Sequence, residues 1–413
     1  MLKISSNEKT ASQLETFVLC ILFIALAEVI LPPFSQLRPK AIAGLDKTLG
    51  SAVAQIGIYL FFILVLRNRF RDFFKNLTLL IRDPCLLFIL VLTLLSALWS
   101  RSPSFTFKGS LVIVGTSLYA VHIAKHYSIA RMTAILRFLC AVILIVGAIF
   151  CIVLPSFSVN EKGWQGIMSF PIRTGTFAAL GIVLWLAHLI STRNQKSLSL
   201  GIIAIFLIVL VRSNSAQALL TLIALLGIFI TQYLFKKLQA KQATVASVIF
   251  LAIGLCLFFV IESHTRGIFE ALGKDTTLSG RTDFWPTVIA TLNHHNPLLG
   301  FGVYGFWQPW QGDDNPARYI INANGFVPPN AHSGFLDLAL EIGWLGLFLF
   351  ACSFLKLTIN AVRFAIESKT QTAFVPIILV AYIFISNFSE TQLFSDVYIW
   401  FLYVFLATSP ELN

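Results

Sequence analysis

The strongest constraint on how this chain folds is a recurring pattern of apolar stretches separated by short polar breaks. Each stretch is about as long as a helix needs to cross roughly 30 Å of hydrocarbon at about 1.5 Å per residue. Twelve such runs are read, at 15–31, 50–66, 84–99, 108–124, 135–154, 174–191, 197–211, 216–235, 243–262, 335–355, 373–389 and 394–408, the seventh and twelfth being short. Inside a bilayer every backbone N–H and C=O must be paired within the protein, so runs of this kind fold as helices. A composition of 57% hydrophobic and 12% charged residues, with 38 Phe, excludes a soluble globular domain. The expectation is an all-α polytopic membrane protein in which residues 1–413 form one integral membrane domain.

The net charge of +11 does not mark a nucleic-acid partner, because the basic residues sit at alternate ends of the apolar runs instead of forming one face. Lys3 and Lys9, Arg67 to Arg82, Lys125/Arg131/Arg137, Arg193/Lys196, Lys236/Lys237/Lys241 and Lys356/Arg363/Lys369 fall on one side if twelve helices alternate. That side is read as cytoplasmic, with both termini. The polar insert 263–333, between the ninth and tenth helices, then lies outside, as do 155–172, Arg212 to Ser215 and Glu390 to Gln392. Arg38, Lys40 and Lys47 are the exceptions. No small-residue cleavage site follows the first run, so it is read as a retained helix. The six cysteines lie in or at the edge of apolar runs without a C-x-x-C pair, and they are read as core residues.

Chemistry must come from the polar insert. Arg281, in Ser279-Gly280-Arg281-Thr282-Asp283-Phe284-Trp285, precedes two good N-cap residues and Pro286, so a helix is expected over 283–293 with its free N–H groups and the guanidinium converging on one point. Such a corner binds phosphate; the alternative is an arginine paired with Asp275 or Asp283. His332, in Asn330-Ala331-His332-Ser333-Gly334, stands at the mouth of the apolar run beginning at Phe335, with Ser333 or Asn330 as cap. It is read as a general base, against the alternative of a histidine marking the water interface. Tyr304, Phe306, Trp307 and Trp310 are placed to stack on sugars or to form an interfacial belt. Gly300-x-Gly302-x-x-Gly305 is not a dinucleotide site, since no strand precedes it. Asp313-Asp314 reads as a solvated turn, and His294-His295-Asn296-Pro297 as a helix end.

Six strings then occur in order: Leu98-Trp99-Ser100-x-x-Pro103, Ser213-Asn214-Ser215, the Arg281 string, Pro297-Leu298-Leu299-Gly300-Phe301-Gly302, Ala331-His332-Ser333-Gly334-Phe335-Leu336-Asp337 with Glu341-x-Gly343, and Asn387-Phe388-Ser389-Glu390. Together they resemble the O-antigen ligase and polysaccharide polymerase superfamily, particularly the exopolysaccharide polymerases, over roughly 85–392. The resemblance implies an inverting glycosyltransferase of the GT-C type, with neither metal nor cofactor, at the periplasmic face of the bacterial inner membrane. Its implied partners are undecaprenyl-diphosphate-linked oligosaccharide, a growing polysaccharide acceptor, membrane lipid, and a chain-length regulator or flippase.

On that basis Arg281 and His332 are the catalytic pair, the arginine holding the donor diphosphate and the histidine activating the acceptor hydroxyl. Arg173, Arg212, Trp307 and Glu390 complete the substrate-binding set. Family ligases commonly carry a second arginine where this chain has Asn214, and Arg212 is displaced from it by two positions. Many of the polymerases carry a His-Lys-Asn-like string where Phe170-Pro171-Ile172 precede Arg173 here. The physical reading agrees: breaking a sugar–diphosphate bond builds negative charge on the leaving group, which fixed guanidinium groups stabilise. A ligase passing glycan to lipid A core or to protein, and a lipid-linked oligosaccharide transporter, are the alternatives. A transporter holds its polar residues at mid-membrane depth, whereas here they gather at one face.

Overall fold

The computed structural model describes residues 16, 17, 19, 20, 23, 78–192, 195–235, 284–321, 325, 327–368, 373–395 and 397–413. The runs read at 50–66 and 243–262, most of 15–31, and Arg281 with its two neighbours Thr282 and Asp283 lie outside these residues. The described chain is helical: α1 (Pro84–Leu95), α2 (Pro103–His126), α3 (Ile129–Val153), α4 (Pro171–Ser191), α5 (Lys196–Arg212), α6 (Ala216–Phe235), α7 (Trp285–His295), α8 (Gly334–Glu367), α9 (Val375–Ser389) and α10 (Val397–Thr408). α2, α3, α4 and α8 are long and apolar enough to cross a membrane, and α1, α6, α9 and α10 contain shorter apolar helices. This is a multi-pass membrane protein. A two-residue hairpin, β1 (Val159–Asn160) with antiparallel β2 (Gly163–Trp164), is its only strand pair among the described residues.

Local sequence explains where these helices begin. α1 starts at Pro84, whose missing N–H is no loss in a first turn, and Asp83 caps it by accepting from the Leu86 amide at 3.1 Å. Ser128 caps α3 in the same way through the Arg131 amide. α10 is apolar on every side, and every one of its residues is buried, as such a helix requires. It lies along α2, where the Trp400 indole donates to Ser117 Oγ at 2.8 Å.

Side-chain contacts fix which helix ends meet. Gly175 in the first turns of α4 touches Ala218 in the first turn of α6 and Ser213 just past α5. Phe229, late in α6, meets Phe374 at the start of α9, so α6 and α9 run antiparallel. The starts of α4, α6, α8 and α10 and the ends of α1, α3, α5 and α9 therefore share one end of the bundle with the described part of the insert. At the opposite end Lys356 donates to the Arg82 carbonyl and the Ile129 amide to Glu411. Of the segments expected on one side, 155–172, 212–215, 390–392 and the described residues of 263–333 share that one end.

The run read as 335–355 is longer than expected and broken. α8 extends over Gly334–Glu367, but Ile342 (φ −128°, ψ 19°) and Gly343 (φ 74°, ψ 178°) leave helical geometry. The segment 344–367 alone, at about 1.5 Å per residue, is long enough for a bilayer of roughly 30 Å. His332 therefore does not stand at the mouth of the spanning helix itself. It heads a separate short helix, 334–341, set beyond the break.

The backbone groups freed at the break are paired by the loop after α7. Phe301 and Gly302 amides donate to the Leu340 and Glu341 carbonyls (2.8 and 3.0 Å), and the Trp344 and Leu345 amides donate to the Pro297 and Leu298 carbonyls (2.8 and 3.3 Å). Buried backbone without such partners is costly, so loop and break are one structure. Position 343 admits only glycine, because a Cβ there would run into the Leu298 carbonyl. The Pro297–Gly302 string and Glu341-x-Gly343 are thus halves of one splint, and the glycines of Gly300-x-Gly302-x-x-Gly305 serve it. Trp99 reinforces the loop by donating its indole N–H to the Leu299 carbonyl at 3.1 Å.

α7 also departs from expectation. It spans Trp285–His295, with Phe284 at the cap position and no side-chain cap, instead of starting at residue 283 behind Thr282 or Asp283. Packing sets this start: Phe284, Val288 and Leu292, one face at four-residue spacing, are buried in a satellite core with Phe301, Phe306, Ala331 and Leu340. The helix ends at the His294-His295 pair as expected, and His295 stacks on Phe301 with centroids 4.2 Å apart.

Candidate functional site

The structure builds a polar constellation where α8 begins and α9 ends. Ser333 is the cap of α8, its side chain accepting from the Leu336 amide. His332, immediately before it, has a positive φ of 50°, uncommon for a residue with a Cβ. The Asn330 side chain holds that conformation by accepting from the His332 amide at 3.0 Å. On the facing strand of chain, the Glu390 carbonyl accepts from the Gly334 amide at 3.1 Å. Asn387 Oδ1 accepts from the Gln392 amide at 3.0 Å, and the Asn387 side chain lies against Gly334, where a Cβ would collide with it. The two strings Ala331–Gly334 and Asn387–Glu390 are thereby clamped together.

That clamp sets His332 and Glu390 face to face. His332 Nδ1 lies 3.6 Å from Glu390 Oε2, with side-chain exposures of 25% and 19%. Nδ1 is shut away from solvent with no hydrogen-bond partner among the described residues, so the exposure of the side chain belongs to its other atoms. Sequence reasoning placed His332 beside the positive end of a helix; the structure adds a carboxylate opposite it. A carboxylate at Nδ1 is the arrangement that orients an imidazole and selects which nitrogen is left to exchange protons.

Asp337 is the hub that sequence reasoning quoted only as part of a string. It is 5% exposed; its Oδ1 accepts from the Trp307 indole at 2.7 Å, and its Oδ2 accepts from the Ala331 amide at 3.1 Å and from Thr391 Oγ1. One buried carboxylate thus joins the aromatic loop, the His332 loop and the turn after α9. An acid in the first turn of an otherwise apolar helix is the signal that could have found it, because that position favours negative charge. Trp285 adds a second tie, its indole donating to the Ala331 carbonyl at 2.9 Å. Trp307 is half-buried, edge-on to Phe306 with its N–H committed to Asp337.

The two remaining arginines lie at the same end on the α4–α5 side. Arg173, in the first turn of α4, donates to Ser169 Oγ at 3.1 Å and lies over the Phe170 ring at 5.8 Å. Arg212, the last residue of α5, is exposed and lies over Trp164 in β2 at 5.8 Å. Asn214, where ligases of the resembled superfamily place an arginine, takes a left-handed φ of 53° in the turn to α6. Asp313 and Asp314 form a solvated 3-10 turn, Asp313 4.0 Å from Arg318. Among the described residues no cluster of three His, Cys, Asp or Glu side chains is placed to hold a metal.

The O-antigen ligase family model matches residues 201–351. That span takes in Arg212, Arg281, Trp307, His332 and Asp337, begins after Arg173 and stops before Glu390. The chain is 24% identical over 265 residues to exopolysaccharide production protein ExoQ of Rhizobium meliloti (strain 1021), an overlap of 61% of this chain and 59% of that protein. It therefore spans somewhat under two thirds of the length of the curated relative it matches. By the matched segment and the relative together, the chain is similar to the O-antigen ligase family and to an exopolysaccharide production protein.

Proposed function

We propose that this protein polymerises undecaprenyl-diphosphate-linked oligosaccharide repeat units at the periplasmic face of the inner membrane, as an inverting glycosyltransferase that uses no metal. The observation that carries the reading is the His332–Glu390 pair, held by the α8–α9 clamp at the end of the bundle where Arg173, Arg212 and the insert also lie. In this reading the acceptor sugar hydroxyl attacks the anomeric carbon of the donor. The new C–O bond forms as the bond from that carbon to the diphosphate breaks, and the hydroxyl proton passes to His332 Nε2. Glu390 orients the imidazole through Nδ1 and stabilises the imidazolium that results. The electron pair of the broken bond leaves on the diphosphate, whose charge Arg281 and one of Arg173 and Arg212 stabilise.

The test is glycan output in a strain lacking this gene and complemented with variants. His332→Ala and Arg281→Ala should each reduce polymer by about 10²–10³, the usual effect of deleting such a group, while the protein remains inserted. Arg281→Lys should not restore activity, since a point charge lacks the two-pronged guanidinium contact. Near-normal polymer from His332→Ala, or loss of wild-type activity in EDTA restored by a divalent cation, refutes the proposal. The family model bears a ligase name, and the deletion strain separates that reading. Accumulated single repeat units indicate a polymerase; full-length polymer left on its lipid carrier indicates a ligase.

A further inference from the structure

Beside the His332–Glu390 pair the bundle buries polar side chains that bond to nothing described. Gln217, in the first turn of α6, is 4% exposed, Ser386 of α9 is 0% exposed, and Gln392 in the turn after α9 is 1% exposed. Both side-chain amide atoms of each glutamine and the hydroxyl of the serine lack a hydrogen-bond partner among the described residues. These are five of the ten such atoms, so half of the shortfall falls on these three side chains.

The three side chains share one level of the fold. α6 and α9 are antiparallel with Phe229 against Phe374; twelve residues back from Phe229 is Gln217, and twelve on from Phe374 is Ser386. Gln392 is tied to the same level because its backbone N–H donates to the Asn387 side chain, which itself packs on Gly334 two residues from His332. Native proteins pair nearly all buried polar groups, and one left unpaired is a cost that some other benefit must offset.

We propose that Gln217, Ser386 and Gln392 form a subsite that recognises the hydroxyl groups of a sugar ring next to the reacting centre. The proposal rests on the glycan-transfer reading above. Two primary amides and a hydroxyl supply donors and acceptors without charge, which suits the neighbouring hydroxyls of a pyranose and suits neither an anion nor a hydrocarbon chain. In this structure all three side chains are buried, and the turn that carries Gln392 is held by the Gly334 amide donating to the Glu390 carbonyl and by Thr391 donating to Asp337. A sugar reaches the three side chains when that turn, Gln392 with it, moves.

The experiment compares stability with recognition in Gln217→Leu, Gln392→Leu and Ser386→Ala. Near-isosteric apolar replacement of an unpaired group should leave the melting temperature of the purified protein unchanged or raised. Polymer formed in the complemented deletion strain should nevertheless fall roughly tenfold or more, because a site built to pair hydroxyls loses discrimination when its partners go. Tryptophan fluorescence titration with oligosaccharides released by partial acid hydrolysis of the host polysaccharide should show weakened binding in the same variants. A fall in melting temperature parallel to the fall in polymer would assign the groups to internal water and overturn the subsite. Variants matching wild type in both polymer and binding would also overturn it, leaving the transfer reading intact. A wild type that binds the oligosaccharides through these residues but makes no polymer would overturn the transfer reading alone.

Discussion

Replacing Gly343 by alanine tests whether the broken α8 and the loop after α7 are one structure. At φ 74° and ψ 178° the residue occupies a region open essentially to glycine alone, so alanine carries about 1–3 kcal/mol of strain. Its Cβ would also meet the Leu298 carbonyl and the Leu299 amide, displacing a loop that supplies four backbone hydrogen bonds across the break. Losing half of these at about 1 kcal/mol net each brings the total to roughly 3–5 kcal/mol. Thermal unfolding followed by tryptophan fluorescence in nanodiscs would measure it. The same substitution at Gly201 of α5 is the control, because nothing lies within 4 Å of a Cβ there. Helix propensity then predicts a gain of up to about 1 kcal/mol. A Gly343→Ala protein within about 1 kcal/mol of wild type, or one shifted in the same direction as Gly201→Ala, would refute the splint.

Asp337→Ala should destabilise the protein by about 3 kcal/mol or more, since it leaves the Trp307, Ala331 and Thr391 donors unpaired in a buried network, whereas Asp337→Asn keeps one acceptor and should lose less; equal melting temperatures would show that the hub is dispensable. Arg173→Ala and Arg212→Ala should differ in polymer yield, because one guanidinium is half-buried in the first turn of α4 while the other lies exposed over Trp164; equal losses would mean that neither is the specific diphosphate contact. The His295 imidazole is held below its usual range, first by burial and then by the Arg101 charge. Its neutral form is thus favoured in the fold, and the stability it contributes is present above the unfolded value of about 6.5 and lost as pH falls below it. Melting curves should show this loss in wild type and a smaller one in His295→Phe; identical pH profiles would disprove it.

Sequence by itself determined the class and nominated the candidate site. Hydrophobic runs of bilayer length leave backbone no choice but to pair within each segment, so among the described residues nine of the expected helices fall where the runs are. His332 stood out as a candidate because it lies between a Pro-Pro-Asn turn and a serine cap at a helix start. Arg173, Arg212 and Glu390 were nominated as polar residues at one end of alternating spans, and the structure places them at one end of the bundle.

What only the tertiary structure decided are the long-range pairings. Nothing local to Gly343 says that a loop some forty residues earlier will supply its missing backbone partners, because a hydrogen bond between distant segments leaves no periodic trace in either. The same is true of the pairing of His332 with Glu390, of Asp337 as the anchor of three segments, and of the unpaired amides of Gln217 and Gln392. Helix periodicity records which face of a segment is apolar; it does not record which buried polar atoms meet one another, and at this end of the bundle those meetings define the site.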